Sequence, residues 1–281
     1  MIKTMKSLKT PLRYPGGKSR ALTNLFRFLP DLSQVSEFRE PFIGGGSVSI
    51  EVAKRYPNLN IWVNDLYEPL YNFWCELRDH GQELTREITK LKEKHPEPNS
   101  ARVLFLQSKE YLNEDAKKTE PFHRAVSFWI INKCSFSGLT ESSSFSQQAS
   151  VSNFSMRGIE NLQEYQQLIK NWKITNLSYE ELLVDDKDVF VYLDPPYDIK
   201  DNLYGRKGSM HKGFDHDKFA ADCDRFICPQ LVSYNNSQLV RDRFDGWTAA
   251  EFAHTYTMRS VGSYTIDQAQ RKELVLFNYE N

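Results

Sequence analysis

No run of apolar residues in this 281-residue chain approaches the roughly 18 that a membrane-spanning helix needs. The longest candidates, Phe128 to Ile131 and Val189 to Leu193, have the size of core segments, so a membrane protein is not expected. Cysteine is scarce. Cys75, Cys134, Cys223 and Cys228 are too few and too scattered for a disulfide framework in a chain of this size, which points to a reducing compartment. A Cys-x-x-Cys pair is missing as well. His211, His216, Cys223 and Cys228 lie close together, but a single C-x4-C is a weak zinc signature, and no metal is expected. The chain starts with Lys3, Lys6 and Lys9 like a secretion signal, yet Pro11, Arg13 and Gly16 stand where an apolar stretch would have to follow, so export is not expected. Acidic residues are absent before Asp31, whereas Lys3, Lys6, Lys9, Arg13, Lys18, Arg20 and Arg27 all precede it. A net charge of −1 therefore conceals a basic beginning that permits a polyanionic partner; a solvated terminus is the plainer reading.

What is present is a globular balance, 40% hydrophobic and 26% charged, enough for one large domain or two modest ones. Ala21, Leu22, Leu25, Phe26 and Leu29 recur at helical spacing and predict an amphipathic helix that Pro30 ends. Phe38 to Phe42 reads as a short strand broken by Pro41, followed by the turn Gly44-Gly45-Gly46 and a helix from Ser47 to Arg55, the first half of a parallel α/β unit. Ile61 to Val63 predicts a second strand that runs into Asn64 and Asp65. From about Glu68 to Asn176 the texture is helical, as in Leu77 to Lys94, Ala101 to Leu112 and Phe122 to Lys133, and this suggests an inserted domain. Ser135 to Ser155, rich in Ser and Gln without an apolar period, reads as a loop. Val189 to Leu193 is a continuous apolar strand of the kind buried on both faces of a parallel sheet, and Leu231 to Tyr234 follows it. Ala249 to Met258 and Glu273 to Tyr279 alternate as a closing antiparallel pair. There is no internal repeat.

Directly after the buried strand stands Asp194-Pro195-Pro196-Tyr197. An exocyclic adenine amine is a poor nucleophile because its lone pair is delocalised into the ring, so alkylating it requires drawing the nitrogen toward tetrahedral geometry. Two acceptors for its two hydrogens do this. Asp194 offers a carboxylate oxygen, and Pro195, restricted to an extended conformation by Pro196, offers a carbonyl. Tyr197 offers a ring on which a flipped base can stack. A rigid turn with a capping aspartate is the structural alternative. Gly44 to Gly46 allow a backbone to approach a ligand closely at a helix N-terminus, or simply make a tight turn. Asp65 can accept both hydroxyls of a ribose, or cap the next helix. Pro15-Gly16-Gly17-Lys18-Ser19 is not a phosphate-binding loop, because Leu12 occupies the position where that motif needs its first glycine.

Taken in order, Leu12-Arg13-Tyr14-Pro15-Gly16-Gly17-Lys18, Glu40-Pro41-Phe42-Ile43-Gly44-Gly45-Gly46-Ser47-Val48, Val63-Asn64-Asp65, Pro121-Phe122-His123-Arg124-Ala125, Phe136-Ser137-Gly138-Leu139, Asp194-Pro195-Pro196-Tyr197 and Arg271-Lys272-Glu273-Leu274 run along nearly the whole chain. In this it resembles the Dam-like family of S-adenosylmethionine-dependent DNA adenine-N6 methyltransferases. The resemblance implies an α/β, Rossmann-like methyltransferase sheet with an inserted helical DNA-recognition domain, the catalytic part formed by 1–67 and 180–281 and the recognition part by 68–179. It implies methyl transfer from S-adenosylmethionine to adenine N6 in double-stranded DNA, without a metal because the donor already carries an activated methyl group. Asp194, Pro195, Pro196 and Tyr197 would form the catalytic set. Tyr14, Lys18, Phe42, Gly44, Gly46, Asp65 and Asp194 would surround the methyl donor, with Lys18 on its methionine carboxylate. Arg124, Lys133, Phe136, Ser137, Leu139 and Arg157 would face DNA.

Two departures stand out in the recognition segment: Ser137 replaces a common Asn, and Thr140 and Glu141 follow Gly138-Leu139 where enzymes that read GATC carry a basic residue. Since arginine is the commonest reader of guanine, the expected target is other than, or broader than, GATC. A cytosine-N4 methyltransferase and a catalytically idle DNA-binding module are the alternatives; the first more usually has Ser in place of Asp194, and the second need not bind the methyl donor. A cytoplasmic location is expected, in a bacterium or for a viral enzyme acting on intracellular DNA.

Overall fold

The computed structural model describes residues 8–138, 143–197, 213–253 and 272–280. Lys3, Lys6, Leu139, Thr140, Glu141, His211, Met258 and Arg271, all used in reading the sequence, lie outside these, as does the side chain of Ser137. The strands are β1 (Glu37–Glu40), β2 (Asn60–Asn64), β3 (Lys173–Thr175), β4 (Val189–Leu193), β5 (Gln230–Asn235), β6 (Thr248–Ala253) and β7 (Lys272–Phe277). The helices are α1 (Leu22–Leu25), α2 (Ser47–Arg55), α3 (Glu68–Lys94), α4 (Pro98–Asn113), α5 (Pro121–Cys134), α6 (Gln147–Ser152), α7 (Met156–Ile169), α8 (His216–Arg225) and α9 (Gln238–Arg243). Two compact units share the chain. One comprises Met1–Gly17, Gly44–Gly46 and Tyr67–Ile174, the other Lys18–Ile43, Ser47–Leu66 and Thr175–Asn281.

The second unit is built on the sheet, whose order is β3-β2-β1-β4-β5-β7-β6. β1 pairs in parallel with β2 and β4, and β4 with β5; β7 lies antiparallel between β5 and β6. The first five strands thus follow the doubly wound order of nucleotide-binding folds, with the reversal of direction between β1 and β4. All five residues of β4 are buried, as its unbroken apolar sequence demands. Helix α2 has the predicted bounds, and the closing antiparallel pair is present as β6 and β7.

Three expectations need correction. The helix expected over 21–29 ends after Leu25: the bonds from Arg27 N to Asn24 O and from Phe28 N to Leu25 O tighten the chain into three-residue turns. Aromatic packing favours that exit, since the Phe26 ring lies 4.2 Å from the Arg55 guanidinium and Phe28 stacks on Phe252 at 6.2 Å. The Ser- and Gln-rich stretch is not all loop, because Ser146 caps α6 and Ser155 caps α7 through their hydroxyls. Finally, Lys173–Thr175, within the stretch read as helical, is an edge strand of the sheet.

The first unit is helical. Pro69, Pro98 and Pro121 open α3, α4 and α5 at the position where a missing N–H costs nothing. Helix α3 is kinked at His80. At the next residue, Gly81, a Cβ would lie 2.7 Å from Gln166 of α7, and Gln166 donates to the carbonyls of Arg78 and Asp79 beside the kink. The amino-terminal segment belongs here because the Asn132 side chain accepts from Arg13 N at 2.9 Å and donates to Arg13 O at 2.7 Å, as a neighbouring strand would.

Candidate active site

β1 and β4 are adjacent strands at the reversal of the sheet, where open α/β folds hold ligands beyond the carboxyl ends of their strands. Asp194 directly follows β4, and β1 ends on Glu40. Asp194 is held by Lys18, whose Nζ donates to both carboxylate oxygens at 2.7 and 2.8 Å and to the Tyr197 hydroxyl at 2.8 Å. Tyr197 in turn donates to Glu273 of β7, and the Glu273 carboxylate lies 3.3 Å from Lys18 Nζ. Lys18 and Glu273 are buried, whereas the Asp194 side chain keeps 20% of its surface exposed and is reachable. Below it, Glu40 accepts from the backbone N–H and hydroxyl of Ser49 in the first turn of α2, whose end donors and dipole suit a carboxylate.

Burial pushes the Glu40 carboxyl up to about 8, Ser49 opposing it, so this group is largely protonated at neutral pH. Burial also lifts Asp194, to about 6; the Lys18 charge works against that lift and the Glu273 charge adds to it. Asp194 is therefore mostly ionised at neutral pH, the state in which it accepts hydrogen bonds.

Asp65 follows β2 and is buried, with Asn176 donating to its carbonyl. Asn64 fixes this strand end with every polar position of its amide: Nδ2 donates to Pro41 O and Leu177 O, and Oδ1 accepts from Thr175 Oγ1 and Leu177 N. Phe42 is half-buried among Tyr179, Phe214 and Phe219, with ring centroids 5.7 to 6.0 Å away. Pro195 is buried, Pro196 half-buried, and Tyr197 keeps 8% exposure with its ring stacked on Tyr234 at 5.8 Å. Tyr197 is thus locked into the polar cluster and shows little open ring surface, less than an external stacking platform needs.

The helical unit carries the remaining candidates. Gly44 has φ +48°, and a Cβ there would lie 2.8 Å from the Tyr14 ring, so the aromatic ring packs where a side chain would otherwise stand. Gly46 has φ +70°. The turn is fastened by Trp74 Nε1 donating to Gly44 O at 3.1 Å and by Thr10 Oγ1 donating to Gly45 O at 2.5 Å. Arg124 is buried, and its guanidinium pairs with Glu68 at 2.8 Å. Lys133 is half-buried with its ammonium 5.3 Å from the Trp129 ring centre, and burial lowers it to about 7. Phe136 is 59% exposed and Arg157 is exposed.

The donor set of the sheet unit suits a cationic ligand. Asp65, Asp194 and Glu273 are carboxyl groups, and in the cluster the single ammonium of Lys18 meets two of them, with the largely protonated Glu40 beside them. Such a surplus favours a sulfonium-bearing molecule over a polyphosphate. A family model described as D12 class N6 adenine-specific DNA methyltransferase matches residues 14–259. The chain belongs to this family. Relatives include the type II methyltransferase M1.LlaDCHI of Lactococcus lactis subsp. cremoris, 23% identical over 98% of this chain and 97% of the relative. The type II methyltransferase M.MjaIII of Methanocaldococcus jannaschii is 24% identical over 68% of this chain and 69% of its own length. A DNA adenine methylase of Escherichia coli strain K12 is 32% identical over 48% of this chain and 44% of its own length.

The protein is therefore a site-specific, S-adenosylmethionine-dependent DNA methyltransferase that modifies adenine N6, and the cytosine-N4 and idle-module alternatives fall away. Among the described residues no group of three His, Cys, Asp or Glu could hold a metal ion, and no helix is long and apolar enough to cross a membrane. Sequence reasoning gave no role to Glu40 or Glu273. For Glu273 the one signal was an acidic residue heading the apolar run Leu274 to Phe277, which is buried only with partners, though the strand does not name them; Glu40, between Arg39 and Pro41, carried no such signal.

Proposed function

We propose that Asp194 and the Pro195 carbonyl accept the two amine hydrogens of the target adenine and so turn its N6 lone pair toward the methyl donor. S-adenosylmethionine supplies a methyl group activated by a sulfonium. The N6 lone pair would form its bond to that methyl carbon in line as the carbon–sulfur bond breaks and its electrons leave with a neutral thioether, and N6 would then lose one proton to water. The observation that carries this reading is an ionisable, reachable carboxylate at the end of β4, fixed on both oxygens by a buried lysine. A hydrogen-bonding group held this way needs no reorganisation during the reaction, which is the property that makes such groups catalytic. Lys18 serves here as the partner of Asp194 rather than of the donor's carboxylate.

Around the donor we assign Asp65 to the ribose hydroxyls, Phe42 to apolar contact, and Tyr14, Gly44 and Gly46 to the backbone-lined turn. The helical stretch 68–179 serves target recognition, with Phe136 entering the base stack and Arg157 on phosphate. Arg124 and Lys133 are kept for the fold of that unit, because one is paired and buried and the other is desolvated. The decisive experiment is transfer of a labelled methyl group from S-adenosylmethionine to duplex DNA by wild type and Asp194→Asn. Loss of transfer with retained donor binding supports the assignment; near-normal turnover of the variant refutes it.

A further inference from the structure

We propose that Glu273 is a positioning residue for methyl transfer: it shares the Lys18 ammonium with Asp194 and anchors the Tyr197 hydroxyl, so that Asp194 remains a strong acceptor. This inference rests on the reading of Asp194 as the acceptor of the adenine amine. Its basis is geometric. Glu273 is fully buried on β7, in register with Asn235 of β5 and Phe252 of β6, and its carboxylate stands 3.3 Å from Lys18 Nζ while accepting from Tyr197. A lysine bonded to both oxygens of a lone carboxylate would withdraw electron density from the group that must accept from the substrate. A second carboxylate on the same ammonium divides that pull. The Tyr197 hydroxyl, which accepts from Lys18 and donates to Glu273, fixes the spacing of the two.

The charged and titratable groups around Asp194 are Lys18 from the turn preceding α1, Glu40 from β1, Tyr192 from β4, Tyr197, and Glu273 from β7. Of these, Glu273 opposes ionisation of Asp194, Lys18 and the Tyr197 hydroxyl favour it, and Glu40 is itself largely protonated there. Protonated Asp194 has one acceptor oxygen fewer, so activity falls as pH drops through its titration near 6. Removing the Glu273 charge favours the carboxylate form and moves that acid limb to lower pH. A residue needed only for packing would leave the limb in place.

The test is the pH dependence of methyl transfer by the full chain, with labelled S-adenosylmethionine and duplex DNA. Glu273→Gln is expected to lower turnover at neutral pH about tenfold, the scale of a charge-assisted hydrogen bond, with the acid limb displaced downward by about one pH unit. Glu273→Asp, which keeps the charge, should restore most of the displacement. An unmoved acid limb in a folded Glu273→Gln protein overturns the proposal. Should Glu273→Gln fail to fold, Lys18→Met combined with Glu273→Gln removes one charge of each sign. Because Glu273 acts through Lys18, the double variant should turn over like Lys18→Met alone, and a further tenfold loss overturns the proposal. Asp194→Asn is measured alongside. If it retains turnover, the underlying reading fails; if it is inactive while the Glu273 outcomes are absent, this inference alone fails.

Discussion

The Asp194 cluster of the sheet unit and the residues of the helical unit assigned to DNA, Phe136 and Arg157, are held in opposite ways. Around Asp194, Lys18 and Glu273 are buried and bonded at 2.7 to 3.3 Å. In the helical unit, Phe136 is 59% exposed and Arg157 lies open, although Phe136 N–H is tied to Ser144 O at 3.0 Å. Chemistry on a delocalised amine demands groups already oriented and shielded from water, and the cluster assigned to it is of the kind that is costly unless every member is partnered. Recognition of a polyanion demands the reverse, surface that a partner can still reach. A variant in the first region should therefore act on turnover, and one in the second on affinity.

The sharpest break of this contrast is Asp194→Ala. Loss of a preoriented acceptor is expected to reduce turnover about 10²-fold or more at saturating DNA and donor, in a protein whose circular dichroism spectrum is unchanged. Phe136→Ala should leave saturated turnover nearly intact and weaken DNA binding by about 1–3 kcal/mol, the worth of one aromatic stacking contact. Stopped-flow turnover beside a DNA titration separates them. If Phe136→Ala lost turnover as deeply as Asp194→Ala, the division of labour would be wrong.

Asp65→Ala comes next, because it lies in the sheet unit yet is assigned to binding. Removing charge-assisted bonds to ribose hydroxyls should cost about 1.5–3 kcal/mol in donor affinity and leave DNA affinity unchanged. Calorimetric titration with S-adenosylmethionine decides it, and an unaltered donor affinity would reduce Asp65 to a part of the strand end that Asn64 already secures.

The two regions also differ in how far they can be read from sequence. β4 and α2 were legible to the residue because each carries an unambiguous local pattern, a five-residue apolar run and a helix after a glycine turn. The position of Asp194 at a strand end was legible because it directly follows that apolar run. Glu273 was not, since nothing within β7 reveals that a lysine some 250 positions earlier will meet it. Arg124 shows the same limit: a basic residue in a helical segment resembles a phosphate contact, and nothing nearby in sequence announces that Glu68 stands against it. The helix expected over 21–29 failed because periodicity does not register that Phe26 and Phe28 have partners in α2 and β6.

Sequence specificity, assigned above to the helical unit, should change by a smaller amount per contact. A bidentate arginine on guanine contributes about 1–3 kcal/mol of discrimination per base pair, and the residues after Gly138-Leu139 are Thr140 and Glu141. Methylation of a plasmid, followed by cleavage with nucleases blocked by or dependent on GATC methylation, is expected to show modification at sites other than GATC. Complete and exclusive protection at GATC would mean that another residue reads the guanine.

The smallest expected effect separates two arginines of one unit. Arg157 is exposed and assigned to a phosphate, so Arg157→Ala should weaken binding evenly across sequences and reduce the slope of log affinity against log salt by about 0.9, the release of one counterion. Its thermal stability should stay at the wild-type value. Arg124→Ala leaves Glu68 without its partner and removes a buried guanidinium from α5, so it should lower stability by about 1–3 kcal/mol and leave the salt slope untouched. Measuring both quantities on both variants is the most exacting version of the contrast, because charge, residue type and unit are held constant and burial alone differs. If Arg124→Ala changed the slope as Arg157→Ala does, the arginine paired with Glu68 would have to leave that pair for DNA, and burial in the free protein would be a poor guide to which residues touch the duplex.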